Sequence, residues 1–551
     1  MAGLVGLFAA ESDLPAQQTL AELAQPMLHS ARLSLFSAIN SSWIAGVISS
    51  STKEPVYSLS EGATAALAGL VVTADGADSK TIVERGLGAL RASVQEVAGW
   101  IDQLDGTFAL SIYDPQTSRG LLVNDHHGGV PIYMGRRGND FVWASEVKSV
   151  HAFAGDQEPD VETLKFFLKN GYLDSERTYY KNIRQLGREQ FVLVNKGQID
   201  VHRVRDFVPA PEPVRSEMNY EAAKSTFKQL LGEAVQRRVE QAGVTEVTVT
   251  LSGGLDSRIL AAEAHRQGLK VTALTYGQLD SPEIRIAASV AARLGIQHTI
   301  VPVTRETWME GRADAVWATD GMMDFMHTHI FHLADHFPQD GLVLDGLFGD
   351  VVLGRGRIVV DAELSEIENR YLRVNRFTYF GPRIESNFTL VATPLIDKRL
   401  VQFMDGLDPA FTENSRLYIE AAAELYPQLF LEIPWHKTGV PPAPYREHWL
   451  RLRAVKFLKR LVQGLRWLNL PIGTSYFTMD YFGWMQQARF KSALKEIVYS
   501  EGGRLRTLVE LPELETLFSR IPNVQHAKSA TRILTLELWL RRVDGHAGWR
   551  S

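Results

Sequence analysis

Residues 247–260 read VTVTLSGGLDSRIL, and the fold turns on this stretch. Val247 to Leu251 is rich in β-branched residues, as a strand is. It runs into Ser252, Gly253, Gly254, Leu255, Asp256 and Ser257, and the residues from Ser257 to Gln267 favour a helix. Two adjacent glycines let backbone amides approach a phosphate with no Cβ in the way, and the helix start adds its positive dipole end. Taken alone, a GG pair is an ordinary β-to-α turn with a serine cap. The six-residue string in its strand–loop–helix setting is what favours a pyrophosphate cradle. An aspartate beside phosphates is unfavourable unless a cation lies between, so Asp256 reads as a magnesium ligand. The string is not the Walker loop of kinases and GTPases, because it lacks GxxxxGK[ST].

Outward from the loop, strands and helices alternate: a strand over Lys270 to Tyr276, a helix over Pro282 to Leu294 and a strand over Thr299 to Val303. Such spacing predicts βαβ units and a parallel sheet, with ligands at the carboxyl ends of the strands. Upstream, LDGTFALSIYD, RGLLVNDHHGG and VPIYMGRRGNDFVWAS alternate short β-rich runs with turn residues, which predicts an antiparallel sheet. PAPEPV, after Phe207, suits a linker. The reading is therefore two domains, 1–207 and 208–551, and the part beyond about Ser365 is mostly helical.

Composition fits this plan. The chain has 551 residues, enough for two cores, with 45% hydrophobic and 22% charged residues. A net charge of −6 gives no global attraction for nucleic acid or anionic membrane. The longest apolar stretch, Ala65 to Val72, is far shorter than the roughly 20 residues that span a bilayer, and the start of the chain lacks an export signal. Both point to a cytoplasmic protein. There is no cysteine, which removes disulfides, thiolate metal sites and a cysteine nucleophile.

SGGLDS resembles the signature of the PP-loop ATP pyrophosphatases, and the surrounding sequence is similar to asparagine synthetases and their relatives. Several segments agree in order. Leu274-Thr275-Tyr276-Gly277 sits where the family's second strand flanks the nucleotide. Glu283 stands at an acidic position twelve residues before Gly295, and VLDGLFGDVVLG (Val343–Gly354) resembles the loop S-G-E-G-x-D-E. The resemblance implies ATP and Mg2+ as cofactors, with Asp256 and Asp350 as metal ligands. Leu251, Ser252, Gly253, Gly254, Ser257, Tyr276, Gly277, Asp345 and Gly346 would surround the nucleotide. ATPLIDKRLVQF and YPQLFLEIPWHKTGVP resemble later segments, and Lys437 takes the place of a lysine that would neutralise leaving-group or oxyanion charge. The implied architecture is α/β: an antiparallel αββα sandwich of the Ntn type, followed by a parallel-sheet PP-loop domain, like that of the adenine nucleotide α hydrolases, with a helical carboxyl-terminal part.

In the first half, LDGTFALSIYD, NDHHGGVPIYM and WASEVKSV resemble class II glutamine amidotransferase motifs. That glutaminase needs a cysteine after the initiator methionine, whereas this chain reads Met1-Ala2-Gly3. Motifs that hold glutamine also have no match. The expectation is a degenerate glutaminase domain and an AMP-forming ligase that takes its amine directly. Such a ligase joins a small-molecule or peptide carboxylate to an amine. Alternatives are an ammonia-dependent asparagine synthetase, an intramolecular ligase like β-lactam synthetases or lasso-peptide cyclases, and a scaffold without turnover. A homo-oligomer or a peptide-processing partner stays open.

Three features depart from the family or go unused by it. Leu347 stands where asparagine synthetases have a glutamate, leaving the acceptor base unidentified, and Arg355 and Arg357 follow in a glycine-rich continuation. MHTHIFHLADH carries His327, His329, His332 and His336, the last three near one face of an expected helix. Helix packing or substrate contact accounts for them better than zinc. WLRLRAVKFLKRLVQGLRWL (Trp449–Leu468) reads as an amphipathic helix with its aliphatic face in the core, against grip on an acidic partner or a membrane.

Overall fold

The computed structural model describes all residues except 1–2, 11–14, 41, 54, 156–157, 209–217, 347–348, 350–352, 354–364, 445–446, 448, 452, 455–456, 459–478, 519–523 and 546–551. The amino-terminal half holds twelve strands among these residues. They are β1 (Gly3–Phe8), β2 (Ser34–Ile39), β3 (Trp43–Ser49), β4 (Val56–Ser58), β5 (Thr64–Val72), β6 (Asp105–Asp114), β7 (Arg119–Asn124), β8 (Tyr133–Arg137), β9 (Asp140–Ala144), β10 (Arg184–Gln185), β11 (Gln190–Asn195) and β12 (Gln198–Arg203). They form two six-stranded antiparallel sheets, β10-β8-β9-β1-β3-β2 and β12-β11-β7-β6-β5-β4. Leu4, Trp43, Ala109, Leu122, Trp143 and Val192 fill the space between the sheets. Helices Ser79–Ala92 and Val94–Asp102 cover the second sheet through Ile82, Val83 and Val97, while Ala16–Ala24 and Val147–Ala154 cover the first. Every residue of β6 is buried. With both faces covered, LDGTFALSIYD reads as a nearly continuous apolar run and not as an alternation. This is the αββα sandwich expected from the sequence.

The second half is built on a parallel sheet of β13 (Glu246–Thr250), β14 (Lys270–Gly277), β15 (Gln297–Pro302), β16 (Leu342–Leu344) and β17 (Leu390–Ala392), in the order β15-β14-β13-β16-β17. The strands and helices expected between Val247 and Val303 are all present to within two residues at either end. Their boundaries follow local chemistry. In helix Pro282–Leu294, the Ser281 side chain accepts from the Ile284 amide, proline opens the first turn, and Gly295 closes the helix with a φ of 67°. The chain builds outward from β13 through β14 to β15, then returns to lay β16 on the other side of β13. The order of connection therefore reverses between β13 and β16, and the crevice outside their carboxyl ends is where such a sheet binds ligands.

The two halves share buried charge. Arg238, on helix Tyr220–Ala242, donates to Asp105 (3.2 Å) and Asp397 (2.7 Å), and Lys148 contacts Glu146 and Asp320 (3.2 Å). Late helices, including Val524–Val543 with Trp539 fully buried, complete the core. Among the described residues no helix is long and apolar enough to cross a membrane.

Two expectations are corrected. The histidine-rich segment is a 3-10 helix, Phe325–His336, with a break at Thr328, so the α-helical face proposed for His329, His332 and His336 does not form. In the basic segment, Leu450, Phe457 and Leu458 are 61, 64 and 57% exposed, so the described part of its aliphatic face is not in the core. The proline-rich linker and Leu347, Arg355 and Arg357 lie outside the described residues.

Candidate active site

The glycine loop leaves the end of β13 and enters helix Asp256–Arg266. Its hydroxyls organise it: the Ser252 amide donates to Ser257 Oγ (3.0 Å), the Gly254 amide donates to Ser252 Oγ (3.1 Å), and the two hydroxyls lie 3.1 Å apart. Two of the amides expected to face a phosphate thus donate within the loop. Leu251 is buried, and its amide and carbonyl are tied to β14 through Leu274 O (2.8 Å) and the Thr275 hydroxyl (2.6 Å). The loop is thereby clamped to the sheet on one side.

The other wall of the crevice is the turn after β16. A Cβ at Gly346 would lie 2.6 Å from the Ser257 nitrogen, and one at Gly349 would lie 2.2 Å from Asp256 Oδ1. Only glycine at position 346 allows the chain after β16 to come this close to the start of the loop helix. Gly346 thus lies against the backbone of Asp256 and Ser257, and Gly349 against the Asp256 carboxylate. Asp350 lies outside the described residues.

A third segment closes over the glycine loop. The His436 amide donates to Gly253 O (3.3 Å), and the turn it belongs to carries Lys437, whose ammonium sits 5.2 Å above the Trp435 ring. Arg258, in the first turn of the loop helix and fully buried, donates to the carbonyls of Leu429 (3.0 Å), Ile433 (3.1 Å) and Pro434 (2.7 Å). One guanidinium thus fixes the approach to the Lys437 turn from the helix that carries Asp256. Burial pulls the Arg258 guanidinium down to about 10.

Tyr276 and Gly277 end β14 beside the loop, and Val303 donates to Gly277 O (2.9 Å). Tyr276 is half-buried and lies 5.2 Å from the His329 ring, which stacks at 15° on Tyr481 at 6.4 Å. Arg312 lies beneath, donating to Phe325 O, Met326 O and the Tyr481 hydroxyl. Burial, and then the nearby Arg312 guanidinium, hold His329 well below the ordinary imidazole range. His327 packs against Phe377 and lies edge-on to His329 at 6.4 Å.

Three acidic or phenolic groups give the site its electrostatics, and two of them were missed from sequence. The Tyr418 hydroxyl donates to Asp256 Oδ1 (3.0 Å) from helix Arg416–Leu425. Glu385, fully buried at the end of helix Phe380–Glu385, is held well above the carboxylate range by desolvation and by the neighbouring Asp345, the first residue after β16. Glu283, the acidic position noted in the sequence, packs on the glycine loop, its Cγ 2.9 Å from a Cβ built at Gly253, and burial raises its carboxyl to about 7. Nothing local marks Tyr418 or Glu385 in the sequence. Each sits in an ordinary helical run and reaches the site only through the fold.

Both halves of the chain are similar to known proteins. Residues 226–426 match the asparagine synthase family and residues 90–205 match the glutamine amidotransferase domain. Asparagine synthetase B of Escherichia coli (strain K12) is 26% identical over 238 residues, covering 40% of this chain and 36% of that protein. The 7-cyano-7-deazaguanine synthase of Synechococcus elongatus is 33% identical over 146 residues, covering 25% of this chain and 56% of that protein. The matches thus span between about a third and just over half of these two relatives' lengths. Among solved structures, glutamine phosphoribosylpyrophosphate amidotransferase from B. subtilis aligns at 12% identity with a TM-score of 0.28, over 55% of this chain and 91% of that one.

Proposed function

Since the chain belongs to the asparagine synthetase-like family, we propose that it uses ATP to activate a carboxylate as an acyl-adenylate and passes the acyl group to an amine. The observation that carries this reading is the closure of the Gly346 turn on the glycine loop at the point where the sheet reverses its order of connection. A carboxylate oxygen attacks the α-phosphorus of ATP and the bond to pyrophosphate breaks. The amine then attacks the acyl carbon and AMP leaves. Phosphate oxygens would take over the amides of Ser252 and Gly254 as the serine hydroxyls turn away. Lys437 supplies positive charge to the leaving group or oxyanion from the turn tied to Gly253. The amine loses its proton to water or to a phosphate oxygen.

Magnesium fits the donor set in this reading. Asp256 offers a hard, partly exposed carboxylate with Asp350 as its partner, and magnesium is typically held by one or two carboxylates plus substrate phosphates. When bound, it would offset phosphate charge.

The division into 1–207 and 208–551 follows the linker, and the first part is read as a glutaminase domain without its nucleophile. Support comes from the absence of cysteine and from the packing of Gly3 and Leu4 on Ser145, beside the buried Glu146, Lys148 and Asp320.

Magnesium-dependent ATP–pyrophosphate exchange across a panel of carboxylates, peptides included, tests the proposal. Exchange with one carboxylate, lost in Asp256→Asn and reduced about 10- to 100-fold in Lys437→Ala, is the expected result. ATP binding without exchange for any acid would overturn it in favour of a scaffold.

A further inference from the structure

A second cavity, of about 580 Å³, opens between the two halves on a face that the ligase reading does not use. That volume lies in the range of small-molecule sites, about 300–1,000 Å³. Its walls come from the loops around His126 and Arg184 on one side and from the helical run 368–376 on the other.

Its charge is one-sided once committed groups are set aside. Arg177 pairs with Asp174 (3.4 Å), and Glu368 closes a capping box with Ser365. Two guanidiniums, Arg184 and Arg376, are left, and Arg188, which pairs with Glu189 at 3.7 Å, lies beside them. Arg188 is exposed and lies 3.6 Å above the Tyr371 ring, which is itself stacked with His127, so its plane is held in place. Arg184 is exposed at the mouth, and Arg376 is buried, with one Nη donating to Arg177 O (2.7 Å). Among the described residues neither Arg184 nor Arg376 forms an ion pair, and the Nε and second Nη of Arg376 lack a hydrogen-bond acceptor, as the buried Gln185 Oε1 lacks a donor. The acid facing them is Glu176, which accepts from Gln190 (3.2 Å). Buried guanidinium donors without acceptors are costly, and a carboxylate or phosphate satisfies several of them at once in the planar geometry they present.

We propose that this cavity is a second binding site, distinct from the ATP crevice, for a small multivalent anion bearing carboxylate or phosphate groups and held by Arg184, Arg188 and Arg376. Because its walls come from both halves, occupancy bridges them. Citrate and inorganic phosphate, titrated separately by calorimetry at fixed ionic strength without magnesium, are the probes. At least one is expected to bind saturably at 1:1. Its affinity should fall about tenfold or more in Arg184→Gln and in Arg376→Gln, which remove charge-assisted donors. Glu176→Gln should tighten binding, and Asp256→Asn should leave it unchanged. Citrate alone binding identifies a carboxylate ligand; phosphate alone identifies a phosphoryl one. If Arg376→Gln does not fold, the exposed Arg184→Gln decides. No saturable binding of either probe up to about 10 mM, binding indifferent to Arg184→Gln, or binding lost in Asp256→Asn would overturn the proposal.

Discussion

The start of β1 and the end of β13 are two places where a family built on paired domains keeps its reactive groups, and in this chain they are organised in opposite ways. At β13, glycines hold side chains away, and Asp256, Glu283 and the turn that carries Lys437 meet around the glycine loop from three segments. Beside β1, Gly3 and Leu4 are plugged by Ser145, and a buried ion cluster of Glu146, Lys148 and Asp320 takes the space behind it. The contrast is between charge that a ligand completes and charge that the protein completes by itself. In the first case removing a group costs chemistry; in the second it costs stability.

The largest expected effect breaks the first region. Asp256→Asn keeps the shape of the loop but removes the anion, and exchange should fall by about 10³-fold with little change in unfolding temperature. A fall in stability that matches the fall in rate would place Asp256 with the structural charges instead.

Lys148 breaks the second region. It is buried and contacts Glu146, Asp320 and the Trp317 carbonyl (2.7 Å). Lys148→Met would strand two buried carboxylates, and a cost of about 3–5 kcal/mol in denaturant unfolding is expected. The folded fraction should exchange pyrophosphate at the wild-type rate. The same contrast predicts that Ala2→Cys releases no glutamate from glutamine, since a thiol alone does not rebuild the glutamine-holding motifs.

Glu283 sharpens the comparison, because its carboxyl packs on the glycine loop and is largely buried there. Burial raises it from 4.5 to about 7. The folded state therefore holds this proton more tightly than the unfolded chain. Its contribution is complete below the unfolded value and is lost as pH rises through the folded one. Between pH 5 and 8 the wild type should lose on the order of 3 kcal/mol that Glu283→Gln retains, read from denaturation midpoints at the two pH values. Identical pH profiles for the two proteins would remove Glu283 from the account.

How much of this was legible depended on whether the backbone or the tertiary fold made the feature. The loop from Ser252 to Ser257 was readable because its glycines, strand and helix lie within one short segment, and helix Pro282–Leu294 was bounded by its own cap and closing glycine. β16 and β17, three residues each, carry too little pattern to be seen. Tyr418 and Glu385 meet residues far away in sequence, so no spacing rule could pair them with Asp256 or Asp345. The histidine segment failed for another reason: its apolar spacing suits an α-helix, but the chain winds as 3-10 after Asp324 caps its start by accepting from the Met326 amide.

Tyr418 is the smallest of the expected effects and the one that separates positioning from chemistry. Its hydroxyl donates to Asp256 Oδ1 at 3.0 Å from a helix that otherwise buries Leu417, Ile419 and Ala421 in the core. Tyr418→Phe keeps that packing and deletes one hydrogen bond to a charged acceptor, worth about 1.5 kcal/mol, so stability should shift little. Without its anchor, the Asp256 carboxylate must be ordered by the cation. The magnesium concentration giving half-maximal exchange should therefore rise about tenfold while the rate at saturating magnesium stays within about twofold. A loss of rate that magnesium does not restore would mean that the phenol acts on the substrate itself and not through Asp256.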